Sequence, residues 1–268
     1  MKRIIALVMA VLMMSALFVG CAGDTTQDAT KDEAVASDLA YIQDKGTLVV
    51  GITDYAPMNY KDDNGEWTGF DTEFAQAVGE KLGVTVEFIE INWDNKFLEL
   101  DSKSIDCIWN GMTITEEAKL NASVTNPYVE NAQVVVMTAD NAKKYTTAES
   151  MADLSFAAEA GSAGEATITE NGWANYTAVK AQSDALLEVA SGSSDACVID
   201  ITMANAMTGE GTSYADLTQA LKLNTEQYGI ACRQDSDLTA KINEVMAELM
   251  SDGTLDALAE KYELALVK

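Results

Sequence analysis

Apolar and polar positions change period repeatedly along the chain, and the changes mark its elements. The run TLVVGI at 47–52 is continuously apolar, the pattern of a strand buried on both faces. The segment DTEFAQAVGEKLG at 71–83 opens on Asp71 as a cap and closes at Gly83. It sets Phe74, Ala77, Val78 and Leu82 along one face, which predicts a helix. VTVEFIEI at 84–91 reads as a strand, DNKFLELDS as a helix and IDCIWN as the next strand. Strands alternating with helices predict an α/β fold with mostly parallel sheets flanked by helices.

One segment is echoed. FLELDSKSIDCIWNG at 97–111 matches LLEVASGSSDACVID at 186–200, an offset of 89 residues. Leu98, Glu99, Ser102, Ser104 and Asp106 meet Leu187, Glu188, Ser191, Ser193 and Asp195. Chance likeness of two helix–strand units accounts for this as well as two lobes of similar construction do. In the second case Asp200 falls opposite Gly111, both at the carboxyl ends of strands, where open α/β sheets bind ligands. Two stretches, NPYVENAQVVV beginning at Asn126 and LKLNTEQYGIACR at 221–233, read as the outward and return crossings of a hinge.

The ends and the charge narrow the setting. Lys2 and Arg3 precede an apolar run from Ile4 to Val19 and small residues at GCAG, the make-up of a signal peptide over residues 1–21. An uncleaved anchor is the alternative, for which that run is short. LFVGC resembles a bacterial lipobox, which implies cleavage before Cys21 and lipid on its sulfur. Residues 22–40 are small, acidic and polar, and read as a flexible tether. The chain carries 43 acidic and 17 basic residues, a net charge of −26, so it repels nucleic-acid phosphate. It has no histidine, which removes the Ser-His-Asp triad and histidine metal sites. Cys107, Cys197 and Cys232 lie in apolar runs with no metal-binding spacing, and read as buried thiols, with a Cys107–Cys232 pair left open.

Together GTLVVGITDYAPMNYKDDNGEWTGFDTEFAQAVGEKLG, IDCIWNGMTITEE, NPYVENAQVVV, the AGSAGE loop and DACVID resemble the extracytoplasmic solute-binding proteins of polar amino-acid ABC importers, family 3. The resemblance runs from about Tyr41 to Lys268. It implies a periplasmic-binding-protein fold with one lobe at 41–131 plus 226–268 and a second at 132–225, closing on a small ligand. It also implies a monomer that delivers its ligand to a permease and its ATPase, lipid-anchored outside the cell membrane. No cofactor, metal, catalytic residue or nucleic acid enters that picture.

Residue by residue, the resemblance implies that Tyr55 and Trp93 pack on the ligand's side chain. Asn110, Gly111, Met112 and Thr113 would form one wall of the cleft, Thr113 fitting a capping box with Glu116 equally well. Asp200 would accept the ligand's ammonium, and burying an acid at the end of ACVID favours that role. Ser162 would donate from the GSAG turn. The family's arginine, which forks onto an amino-acid carboxylate, is replaced by Ala118, and a frequent hydroxyl residue opposite it by Ala163. Lys119 points about 100° away from residue 118 on a helix and is a poor substitute. Two ligand classes stay open: an amine without a clamped carboxylate, which the paired alanines favour, and an amino acid held by backbone amides near Gly111–Thr113 and Ser162 with a helix N-terminus. A dehydratase-like enzyme using Glu116 or Glu117, and a sensory ectodomain, are the competing functions.

Overall fold

The computed structural model describes residues 37–268. The leader at 1–21 with Cys21, and the tether as far as residue 36, lie outside the described residues. Ser37 caps a helix, α1 (Asp38–Lys45), so the last residues of the expected tether are helical. The cause is Arg233, whose guanidinium reaches Asp38 at 3.0 Å and draws the helix start inward.

From α1 the chain enters β1 (Thr47–Ile52), a small hairpin of β2 (Tyr60–Lys61) and β3 (Trp67–Thr68), α2 (Phe70–Leu82) and β4 (Thr85–Glu90). A 3₁₀ turn (Trp93–Asn95) leads to α3 (Lys96–Asp101), β5 (Cys107–Thr113), α4 (Glu116–Asn121), β6 (Ser123–Val124) and β7 (Val129–Asn131). Then come β8 (Gln133–Thr138), α5 (Ala139–Ala142), β9 (Phe156–Glu159), α6 (Ala163–Glu170), β10 (Tyr176–Val179) and α7 (Gln182–Ser191). The chain continues through β11 (Ala196–Asp200), α8 (Ile201–Met207), β12 (Leu217–Lys222), β13 (Glu226–Cys232), α9 (Asp237–Ser251) and α10 (Thr254–Lys261).

Two sheets define two lobes. One has the order β4-β1-β5-β13-β6 with β7 also on β13, and the other the order β10-β9-β11-β8-β12. Each is mixed rather than mostly parallel. β1 runs parallel to β4 and β5, and β9 parallel to β10 and β11, but β13 and β8 are antiparallel to all their neighbours. β8 and β13 are the strands that arrive from the other lobe, so each enters its sheet from the opposite end. Ala132 alone separates β7 from β8, and residues 223–225 separate β12 from β13.

The first lobe packs Phe74 edge-on against Trp109 at 4.8 Å between ring centres, with Phe70 stacked on Tyr128. In the second, Phe156 stacks on Trp173 at 4.3 Å above Val135, Met137 and Ile168. The echoed segments share their bonding. Asp106 accepts the Val49 amide at 2.8 Å and Asp195 the Ser155 amide at 2.9 Å, each pinning the start of a neighbouring segment. Ser102 bonds Ser104, and Ser191 bonds Ser193, both at 2.9 Å. The echo is one local construction used twice.

Two expected caps are reassigned. Asp71 does not cap α2: Gly69 does, at φ 117° with the Pro57 and Met58 carbonyls against it. That close approach sinks the helix start below the surface and buries Asp71. The α4 cap is Thr115, which accepts the Ala118 amide at 3.0 Å, so Thr113 is not part of a capping box. Cys107 and Cys232 are register partners across β5 and β13, and both are free thiols. Among the described residues no helix is long and apolar enough to cross a membrane.

Candidate functional site

Strand ends of both lobes converge on a cavity of about 260 Å³. The first lobe contributes Trp93, Lys96 and Phe97, the β5 residues Asn110–Thr113, and Thr115, Glu117 and Ala118 around the start of α4. The second contributes Glu159, Gly161–Ala163, Ala166 and Glu170 of the α6 region, Gln182, and Asp200.

Asp200 ends β11 and is 3% exposed. Its Oδ1 accepts Gln133 Nε2 at 2.6 Å and Asn131 Nδ2, and its Oδ2 accepts Gln182 Nε2. Asn131 and Gln133 lie on the outward crossing, and each also donates to Glu226 on the return crossing, at 2.7 and 2.8 Å. Thr113 adds a third donor to that glutamate at 2.7 Å. Two carboxylates therefore share the donors of the hinge. Burial, and then the charge of Glu226, raise the Asp200 carboxyl above the usual range.

Glu159 ends β9 on the same sheet and is 2% exposed. Burial, with the Asp200 charge adding to it, raises its carboxyl to about 8. Its Oε1 has no partner among the described residues, nor do the buried amide oxygens of Asn131 and Gln133. The unpartnered side-chain atoms next to Asp200 are thus oxygens, and of their residues only Glu159 lies on the cavity wall. A buried acceptor without a donor is costly, and a cationic N–H group answers both the charge and the hydrogen bonds. Among the described residues no group of acids and cysteines is placed to hold a metal ion.

The comparison with known proteins agrees with this two-lobed cleft. A family model described as "Bacterial extracellular solute-binding proteins, family 3" matches residues 48–265. The chain belongs to that family. The L-cystine-binding protein TcyA of Bacillus subtilis (strain 168) is 28% identical over 267 residues, covering 98% of this chain and 97% of that protein. The L-cystine-binding protein TcyJ of Escherichia coli (strain K12) is 28% identical over 229 residues, covering 84% of this chain and 85% of its own length. Among solved structures, the P235GK mutant of ArgBP from T. maritima superposes with a TM-score of 0.79 at 33% identity, covering 84% of this chain and 98% of its own. An ancestral arginine-binding protein bound to arginine gives 0.76 at 34% identity, with 81% and 98% covered. These named relatives are binding proteins rather than enzymes.

In this family 3 chain, Trp93, Asn110, Gly111, Met112, Thr113, Ala118, Ser162, Ala163 and Asp200 all reach the cavity wall. Tyr55 does not. It is 1% exposed behind Gly111, and its hydroxyl bonds Thr202 of the second lobe and Tyr228. Gly111 makes room for it: at φ 55°, a Cβ there would stand 2.6 Å from the Tyr55 ring. Several donors expected to face the ligand are already engaged. The Gly111 amide donates to Asp71 at 2.6 Å, and the Asn110 side chain is tied to Thr53, accepting at 2.8 and 3.0 Å and donating at 3.0 Å. Ser162 caps α6, accepting the Glu165 amide at 3.1 Å, which leaves its hydroxyl proton to give. Lys119 is paired outward with Glu116 at 2.8 Å.

The sequence reading missed Lys96, Phe97, Thr115, Glu159, Gly161, Ala166, Glu170 and Gln182. Glu159 carried the signal that singled out Asp200, an acid closing an apolar run, FAAE at 156–159. Lys96 carried none, because the Gly161 carbonyl it reaches comes from a distant part of the chain.

Proposed function

We propose that the protein is the substrate-binding lipoprotein of an ABC importer, capturing a small amine-bearing solute between its lobes and delivering it to a permease. The observation that carries this reading is a pair of buried acids on the cavity wall, Asp200 and Glu159. Among the described residues no cation lies within ion-pair distance of either, and Glu159 Oε1 has no partner. An ammonium group supplies the missing charge and protons together. Asp200 is the proposed ammonium receptor, with Trp93 and Phe97 providing apolar and aromatic faces to the rest of the solute. The named relatives support an amino acid or a related amine as the solute.

The protein acts by binding and not by catalysis. Glu116 is turned to Lys119 outside the cavity, and the named relatives are binding proteins. A lipid on Cys21 would hold the protein at the outer face of the membrane, as the LFVGC stretch implies. A thermal-shift screen over amino acids, amines and small cations tests the reading. A solute at a hundred times its Kd stabilises by about 2.7 kcal/mol, which raises Tm by roughly 5–11 °C. A screen in which no free-amine solute raises Tm, or conversion of the solute by the protein, overturns it.

A further inference from the structure

The cavity wall carries four carboxyl groups, Glu117, Glu159, Glu170 and Asp200, against a single cation, Lys96. Lys96 opens α3 and is 7% exposed. Its Nζ donates to the Gly161 carbonyl of the other lobe at 2.8 Å and to the Trp93 carbonyl at 3.3 Å. An ammonium has a third proton, and among the described residues it has no acceptor. No carboxylate of the described residues lies within ion-pair distance of it, in a chain with 43 acids. The rings of Trp93 and Phe97 flank the ammonium at 5.2 and 5.0 Å, shielding it from water and fixing its position. Burial lowers its pKa, the mark of a cation short of compensation, although Glu117 and Glu159 pull the other way.

A second feature converges on the same corner. Gly161, which Lys96 touches, precedes Ser162, the cap of α6. Within that first turn the Glu165 amide is satisfied by Ser162, and the Glu165 carboxylate folds back on the Gly161 amide at 2.7 Å. The amides of Ala163 and Gly164 have no acceptor among the described residues. Two free helix-terminal N–H groups and a buried ammonium are an anion receptor. Lys96 and Ala163 lie on the wall that also holds Ala118, and the family resemblance places carboxylate contacts at positions 118 and 163. Lys119 and Arg233 offer no substitute. Lys119 is bound to Glu116, and Arg233 to Asp38 and Asp106 at 3.0 and 3.3 Å.

We propose that Lys96 is the carboxylate receptor of the cleft, in place of an arginine at position 118, and that the solute is therefore a zwitterion carrying both an ammonium and a carboxylate. This rests on the reading of Asp200 as the ammonium receptor. It reverses the preference for a carboxylate-free amine that Ala118 and Ala163 suggest when taken alone.

The test is calorimetry of the full protein with matched pairs: L-histidine and histamine, L-arginine and agmatine, L-lysine and cadaverine. Wild type should bind the amino acid of a pair more tightly than its amine. Lys96→Gln, which keeps hydrogen-bond donors near Gly161, should weaken the amino acid by roughly 30- to 4,000-fold and leave the amine within about threefold. Lys96→Met should do the same, and Ala118→Arg added to either should restore preference for the amino acid. Equal binding of the two members of every pair by wild type overturns the proposal but leaves the ammonium reading standing. Equal weakening of both members by Lys96→Gln also overturns it, since Lys96 would then act as a link between lobes. If neither member of any pair binds wild type, the proposed function fails along with the inference. Should both variants unfold, the wild-type pair ratio still decides.

Discussion

Replacing Asp200 by asparagine isolates the charge of the proposed ammonium receptor, because shape and one oxygen are kept. Oδ1 continues to accept from Asn131 and Gln133, while the new amide group meets the Gln182 side chain, a donor against a donor. That conflict costs about 1–3 kcal/mol of stability. Removing a buried charge beside Glu226 offsets part of it. The net change in Tm should therefore stay under about 10 °C. Binding responds differently. A buried ammonium left without its carboxylate costs about 2–5 kcal/mol, or roughly 30- to 4,000-fold in Kd. The assay is calorimetry with the solute that raises wild-type Tm most, beside a melting curve of the variant without solute. A folded Asp200→Asn protein that binds within threefold of wild type would refute the reasoning, since the charge at the end of β11 would then not face the ligand.

Other expectations follow from the same geometry. Glu159 and Asp71, raised by burial to about 8 and about 7, hold protons in the folded state that the unfolded chain gives up near its ordinary carboxylate range. Their contribution is present at low pH and lost as pH rises through those values, so ligand-free Tm should fall between pH 5 and pH 8; a rising Tm contradicts it. Affinity for a free-amine solute should run the other way. It should climb by up to tenfold per pH unit over the same interval as the acids that receive the cation ionise, read by calorimetry against pH. Gly111→Ala forces a positive φ on alanine and a Cβ against the Tyr55 ring. It should cost about 2–5 kcal/mol and roughly 4–20 °C in Tm, and an unchanged melting curve would contradict that packing. Tyr55→Phe removes hydroxyl bonds to Thr202 and Tyr228 but nothing from the cavity wall. It should weaken every solute alike by roughly 2- to 15-fold, and a loss confined to one solute would mean that Tyr55 touches the ligand.

The fold was legible because its signals are local. A buried strand needs only an unbroken apolar run, as at 47–52, and the paired serines of the echo, Ser102 with Ser104 and Ser191 with Ser193, bond two residues apart. Asp200 was legible for the same reason, as an acid closing an apolar strand. What escaped the sequence depends on contacts between distant segments. Asp71 has a cap's position but is claimed by Gly111 and Tyr128, forty and fifty-seven residues on. Tyr55 looks like a loop aromatic beside a proline, yet the opening that Gly111 leaves lets it pack inward. Lys96 is a helix residue whose acceptor, Gly161, belongs to the other lobe. The antiparallel sense of β8 and β13 is equally invisible, because it follows from the hinge crossings and not from the strands' own composition.

The central claim is that the corner of the cavity holding Asp200 and Glu159 receives an ammonium. The most direct measurement is calorimetry on wild type with a binding amino acid and its Nα-acetyl form, in which a neutral, bulkier amide replaces the ammonium. The account predicts that acetylation weakens binding by at least 30-fold, the lower end expected for stranding a buried charge. Equal affinity for the two forms would contradict it.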